Sequence, residues 1–417
     1  MTTIEMRERA EEVIARCRKL ATFSEDQVGT RRTFLSAPMR DCHREIARWM
    51  EPLGAVVRID AVGNLRATYP GAQAGAAKLL IGSHLDTVPN SGAYDGVLGV
   101  MLAISLLEAL HGRRLPFGIE VVGFSEEEGV RFGVPFIGSR ALVGRLDAEV
   151  LKVQDSQGIS LQKAIEDFGL NPAEISQADL NVEYFGCIEF HIEQGPVLEE
   201  LRLPLASVDS IAGQSRLEFT FHGRSNHAGT TPMHVRRDAL AAAAEWTTAV
   251  ENCARSVPDL VATVGMIEAK PGATNVIAGE TRATLDVRHG SDEIRTRVVK
   301  DLVERAQEIA GRRGLTSEWE TLLEQPAVAM DPFLVSEIER AIAKTGATPH
   351  RMVSGAGHDA MILAEKVPAS MIFLRTPGGI SHDPAESVAV EDVEKAIECG
   401  LHLLDQLAAS RIVRERM

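Results

Sequence analysis

Short apolar runs that alternate with amphipathic helical stretches restrict this chain to an α/β sheet. Residues 5–20 and 39–53 carry apolar positions at helical spacing, 78–82 is a buried strand, 99–110 a helix and 119–124 a second strand. The pattern returns near the C-terminus, where 371–374 is a short apolar strand and 390–408 an amphipathic helix. Both ends of the chain are therefore expected to complete one sheet.

Between them the rhythm changes. Strand 216–222 alternates apolar and polar residues, and helix 237–254, strands 260–269 and 281–288, helix 292–311 and strand 316–322 follow. This is the β-α-β-β-α-β order of a ferredoxin-like unit. Residues 212–324 are thus expected to form a smaller domain inserted into a first one built from 1–211 and 325–417. A chain of 417 residues is too long for one ordinary core, which agrees with two.

Bulk properties exclude several classes of function. No apolar stretch approaches the roughly 18 residues a membrane span needs, and the opening MTTIEMRERAEEVIARC is a charged helical pattern rather than a signal peptide, so a cytoplasmic protein is expected. Cys17, Cys42, Cys187, Cys253 and Cys399 are scattered without a Cys-x-x-Cys pair, which suggests neither a disulfide framework nor a thiolate zinc site. A net charge of −15 without long basic runs argues against nucleic acid. A small anionic substrate is still admissible, because a distant net charge is screened over about 10 Å and a local arginine outweighs it.

Ligand sites of open α/β sheets gather beyond the carboxyl ends of strands, so the polar residues that follow each apolar run carry the information. After 78–82 come His84 and Asp86, and after a turn Asp95 opens a helix; after 119–124 come Glu126, Glu127 and Glu128; after 187–190 come His191, Glu193 and Gln194; and the loop after 371–374 carries His382. Any one of these histidines reads more readily as a structural residue. Together His84, Asp95, Glu128, His191 and His382 make a nitrogen and oxygen set able to hold two divalent ions, with one carboxylate as a bridge. Asp86, two residues beyond His84, is placed to accept that ring's other N–H. Three like charges after a buried strand are costly unless cations are near. One of the three glutamates then serves as a ligand and its neighbour as a general base, an assignment that spacing leaves open.

These residues resemble the amidohydrolase branch of the M20 metallopeptidases, which comprises N-carbamoyl-L-amino acid hydrolases, β-ureidopropionases and allantoate or ureidoglycolate amidohydrolases. The motifs GSHLDTV (82–88), DG (95–96), EEEGVRF (126–132), HIEQGPVLE (191–199), NHAGTTPM (226–233), SGAGHDA (354–360) and GGISHDPAE (378–386) carry the resemblance over nearly the whole chain. It implies a metal-binding α/β catalytic domain with an inserted dimerisation or lid domain. It implies two divalent ions, one held by His84, Asp95 and His191 and the other by Asp95, Glu128 and His382, with Glu127 as base and Asp86 behind His84. Zn²⁺ or Mn²⁺ suits these ligands, as do Co²⁺ and Ni²⁺.

The resemblance also implies substrate contacts at Gln194, His227, Asn275, Arg288 and the Gly357 loop. Arg288 offers a two-donor fork to a carboxylate, Asn275 a hydrogen bond to the same group or to the ureido end, and His227 a donor to an oxyanion. The expected partner is a small anionic ureido or carbamoyl compound. Because His227, Asn275 and Arg288 fall in the inserted domain, a working site requires closure of the domains or a partner subunit, and a homodimer built through the smaller domain is expected. The phrases RTFLSAP (32–38), FSEEEGVRF (124–132) and IAGQSRLEF (211–219) look most like allantoate amidohydrolases. N-carbamoyl-L-amino acid or N-carbamoyl-β-alanine hydrolysis is the alternative, and a metallo-aminoacylase or dipeptidase a more distant one.

Overall fold

The computed structural model describes residues 3–180, 184–411 and 413. Contacts divide the chain into two compact units, one of residues 1–209, 330–352 and 358–417, the other of 210–329 and 353–357. The return of 353–357 to the second unit differs from the boundaries read in the sequence. Its cause is local: Ala212 N–H donates to Ser354 O at 2.9 Å and Arg288 Nη1 to Gly355 O at 2.8 Å.

In the first unit the sheet runs in the order Val56–Ile59, Leu65–Tyr69, Gly118–Phe124, Lys78–His84, Tyr184–Ile192, Ala369–Leu374, Leu205–Ile211. Lys78–His84 is parallel to Gly118–Phe124 and to Tyr184–Ile192, which is in turn parallel to Ala369–Leu374. These four central strands are buried almost end to end, so they read as continuous apolar runs. Being parallel, they deliver their carboxyl ends to one rim. One core joins the sheet to helices Thr3–Ala21, Ala37–Met50, Val97–Ala109, Pro332–Lys344 and Val390–Ala409, and a second joins it to Ile137–Leu142 and Leu161–Asp167.

Helix Val97–Ala109 has no polar face and is buried from Val97 to Leu107. A Cβ on Gly99 would sit 2.1 Å from the carbonyl oxygen of Phe190 and 2.8 Å from Ser83 Cβ, so the helix backbone rests directly on two strands. Among the described residues no helix is long and apolar enough to cross a membrane.

In the second unit Gly213–His222 lies between Thr316–Gln325 and Glu280–His289, antiparallel to both. Helices Ala239–Ser256 and Asp292–Arg312 share a core with the sheet, with Trp246 fully buried and its indole N–H donating to Leu302 O at 3.0 Å. The single strand expected over 260–269 is two, Val261–Thr263 and Ile267–Lys270, both paired to Glu280–His289. The break falls where Met266 N–H donates to the Thr284 hydroxyl at 3.1 Å, a side chain taking the place of a ladder partner.

Candidate metal centre

The rim of the parallel strands brings three histidines and several carboxylates together. His84 ends its strand, and its Nδ1 lies 2.9 Å from the carbonyl oxygen of Asp86. His191 lies inside strand Tyr184–Ile192 rather than after it, with Nδ1 2.8 Å from the carbonyl oxygen of Ile192. A carbonyl only accepts, so in each ring Nδ1 carries the proton and a neutral ring presents a lone pair at Nε2. The two Nε2 atoms are 3.3 Å apart, and Asp95 Oδ1 is 3.2 Å from that of His191 and 3.8 Å from that of His84. Three buried acceptors thus face one another, an arrangement that is unfavourable until a cation or a proton enters it.

The other oxygen of Asp95 looks elsewhere. Oδ2 is 3.1 Å from His382 Nε2, which is 3.5 Å from Glu128 Oε1. Each oxygen of one buried carboxylate therefore belongs to a separate trio, His84–Asp95–His191 and Asp95–Glu128–His382. Nitrogen and oxygen donors in this arrangement fit divalent cations. Gln194, at φ 59°, donates its side-chain amide to both Asp95 oxygens at 3.1 Å and to Ser381 Oγ at 3.2 Å.

Backbone geometry separates the three glutamates. Glu126 has φ 52°, and its Oε1 turns away to accept the N–H groups of Arg131 at 2.8 Å and Phe132 at 3.3 Å. Glu127 and Glu128 instead group with His84. Asp86 corrects the sequence reading: its carboxylate is 3.8 Å from His84 Nδ1, and the ring is met by the Asp86 carbonyl instead. The carboxylate accepts from Glu127 N–H at 3.0 Å and Glu128 N–H at 3.1 Å, so Asp86 holds the glutamate loop.

Burial combined with crowding by like charges sets the protonation of the site. Burial, with Glu128, Asp359, Asp86 and Glu189 adding to it, raises Glu127 well above the usual carboxylate range. Burial also lifts Glu128 to about 7 and Glu126 to about 8. For His84 burial alone would lower the value, but the charges of Asp86, Asp95, Glu128 and Asp359 outweigh it and raise the ring to about 9. His191, where burial wins over Asp95, falls to about 4. Asp95 is held low despite its burial, by the hydrogen bond from His382 and the charges of the surrounding rings. His84 is therefore the group that takes up a proton among these acceptors.

The remaining expected residues lie in the second unit. His227 is exposed, and its Nδ1 accepts from Gly229 N–H at 3.1 Å, which leaves its proton on Nε2. Asn275 is exposed and its carbonyl accepts from Ala228 N–H at 2.9 Å. Arg288 is not the free fork its strand-end position implied, because Nε and Nη2 donate to the two oxygens of Asp286 at 2.9 and 3.1 Å. It lines a cavity of 630 Å³ with Arg216, Asp286 and Thr284, and Gly357 is exposed at the edge of its unit.

The sequence left the roles of His358 and Asp359, within SGAGHDA, open and did not single out Glu189. Glu189, buried mid-strand, accepts from Ser83 Oγ at 2.9 Å and Ala360 N–H at 2.9 Å; the Asp359 carboxylate accepts from Ser139 Oγ at 2.5 Å; and His358 packs edge-on against His191 with ring centroids 4.4 Å apart. A carboxylate within a fully buried strand, two residues before His191, was the available signal.

The class defined by this fold and donor set is that of α/β metalloproteins with a histidine–carboxylate centre at the strand ends. Comparison narrows it. Residues 80–406 match the sequence profile of peptidase family M20/M25/M40. The chain is 40% identical over 385 residues to an N-carbamoyl-L-amino acid amidohydrolase of Geobacillus stearothermophilus, covering 91% of this chain and 94% of that one. It is 36% identical over 433 residues to allantoate deiminase 2 of Glycine max, covering 95% and 89%. Its fold is similar to the crystal structure of a hydantoinase/carbamoylase family amidase from Burkholderia ambifaria, with a TM-score of 0.90 at 32% identity over 96% of this chain and 98% of that one. The chain belongs to the M20/M25/M40 peptidase family. Within it the chain stands on the amidase branch and is an amidohydrolase, from a family that depends on metal.

Proposed function

We propose that this enzyme cleaves a ureido or carbamoyl carbon–nitrogen bond in a small carboxylate-bearing substrate, with allantoate first among candidates, releasing ammonia and carbon dioxide. The observation that carries the proposal is Asp95, whose two oxygens face two separate donor trios. Two divalent cations, Zn²⁺ or Mn²⁺, held by His84, Asp95 and His191 and by Asp95, Glu128 and His382, would supply Lewis acidity that polarises the scissile carbonyl and acidifies a water.

The chain's own groups handle protons and charge. Glu127 takes the proton of the attacking water and returns it to the leaving nitrogen, a role suited to a carboxylate whose burial favours holding a proton between the two transfers. Asp86 keeps Glu127 in place through its backbone N–H. His227 donates from Nε2 to the oxygen that becomes negative, since its Nδ1 is occupied as an acceptor. Arg288, preset by Asp286, receives the substrate carboxylate, Asn275 and the Gly357 loop hydrogen-bond beside it, and Gln194 adds an amide next to Asp95. We also propose that the second unit pairs the chain into a homodimer; a fully active monomer in sedimentation equilibrium would refute that.

A second substrate reading has its own support, because the relative at 40% identity is an N-carbamoyl-L-amino acid amidohydrolase. The deciding experiment measures ammonia from allantoate, N-carbamoyl-β-alanine and several N-carbamoyl-L-amino acids, using protein stripped of metal and reloaded with Mn²⁺ or Zn²⁺. Metal-dependent turnover of one compound names the substrate. Silence on all of them, with metal bound, refutes the ureido reading and favours an acyl-amino acid.

A further inference from the structure

We infer that Glu386 is a positioning residue for the second cation, clamping the turn that carries Asp95 to the loop that carries His382. The inference rests on the two-cation reading above. Glu386 is buried, and its Oε1 accepts two consecutive backbone N–H groups, those of Tyr94 at 2.8 Å and Asp95 at 3.0 Å. One oxygen thereby fixes the backbone on which the bridging carboxylate hangs. The other, Oε2, is 3.5 Å from Ser381 Oγ, and that hydroxyl is 3.3 Å from Asp95 Oδ2.

The loop itself is tightly turned. Glu386 N–H donates to Asp383 O at 3.0 Å and Ala385 N–H to Asp383 Oδ1 at 2.8 Å, so His382 and Glu386 are tied within a single turn. Space for the clamp is provided by Gly92, where a Cβ would lie 2.5 Å from Glu386 Cβ and 2.7 Å from its Oε1. Glu386 falls in none of the ligand groups among the described residues, so it acts on the cation only through Asp95 and His382. The 3.1 Å approach of His382 Nε2 to Asp95 Oδ2 is then a property of this clamp. The other trio, with His84 and His191 fixed by their own strands, does not depend on the clamp to bring its rings together.

The test is calorimetric titration of the stripped full-length protein with Mn²⁺ alone. Wild type is expected to take up two ions. Glu386→Ala and Glu386→Asp are expected to weaken the second ion, which depends on the clamp through both Asp95 and His382, by ~10–100-fold, as outer supports of metal ligands typically do when lost, and the first, which depends on it through Asp95 alone, by distinctly less. Glu386→Gln, whose amide oxygen still accepts both N–H groups, should stay within about 3-fold of wild type. The aspartate variant, one methylene shorter, keeps the experiment decisive should the alanine variant fail to fold by circular dichroism. Folded variants that bind both ions as wild type does, or that weaken both equally, overturn the inference, as does a glutamine variant as weak as alanine. Wild-type protein that binds fewer than two ions refutes the two-cation reading itself.

Discussion

Loading the stripped protein with divalent cations should expel protons in a number that the site geometry fixes in advance. The donors bind a cation only when deprotonated, whereas in the stripped protein His84 holds its proton up to about 9 and Glu128 up to about 7. At pH 7 the first group carries ~1 proton and the second ~0.5, so on the two-cation reading proposed above uptake releases at least about 1.5 protons per chain. The contribution of these two groups falls from ~1.9 at pH 6 to ~1.0 at pH 8 as Glu128 empties on its own, and His382, raised by its hydrogen bond to Asp95, adds to the release. Cation affinity consequently rises with pH over this window. Calorimetry in two buffers of different ionisation enthalpy gives the number directly. A release below ~0.5 at pH 7, or one that grows with pH, would refute both the crowding of carboxylates around His84 and the identity of the donors.

Three further outcomes are expected. Glu127→Gln should lower turnover by ~10²–10⁴-fold while leaving Mn²⁺ uptake intact, read by ammonia release beside calorimetry. Asp286→Ala frees the guanidinium groups of Arg288 and Arg216, which now share its carboxylate, and should raise KM for the carboxylate substrate ~10–100-fold with kcat little changed; an unchanged KM would remove Arg288 from the substrate site. His43, buried with neither ring nitrogen hydrogen-bonded, is pushed down to about 3 by burial and by Arg32 and Arg40, against 6.5 when unfolded. The unfolded chain then binds the extra proton between those values, so stability is full above 6.5 and is lost as pH falls toward 3. The loss through this residue is ~2 kcal/mol between pH 8 and pH 5, and His43→Leu should abolish that part of the difference in urea unfolding.

The elements with one strong periodicity were legible in the sequence almost to their ends. The helix read over 292–311 is Asp292–Arg312, and the strand read over 281–288 is Glu280–His289. Val56–Ile59 and Leu65–Tyr69 went unseen because they are short and one of them is half exposed. The order of strands across the sheet is a matter of long-range pairing that no local pattern carries. At the site, residue types at strand ends were informative because parallel strands share a rim. What escaped was direction: Glu126 takes a left-handed φ of 52° and turns its carboxylate away from the centre, and Asp86 meets His84 through a carbonyl rather than a carboxylate. Arg288 was placed on the right strand, but its partner Asp286, two residues away on the same face, changes what the arginine offers.

The contact at Gly99 has a bearing on how this centre can vary. The helix that begins beside Asp95 and the strand that carries His191 touch backbone to backbone, with no side chain between them to lengthen, shorten or swap rotamer. The spacing between that helix and that strand is therefore a length set by main-chain van der Waals radii. Substitutions that reshape what the enzyme accepts as substrate therefore leave this helix seated on its strand, so specificity can vary while the platform beneath the centre stays in place.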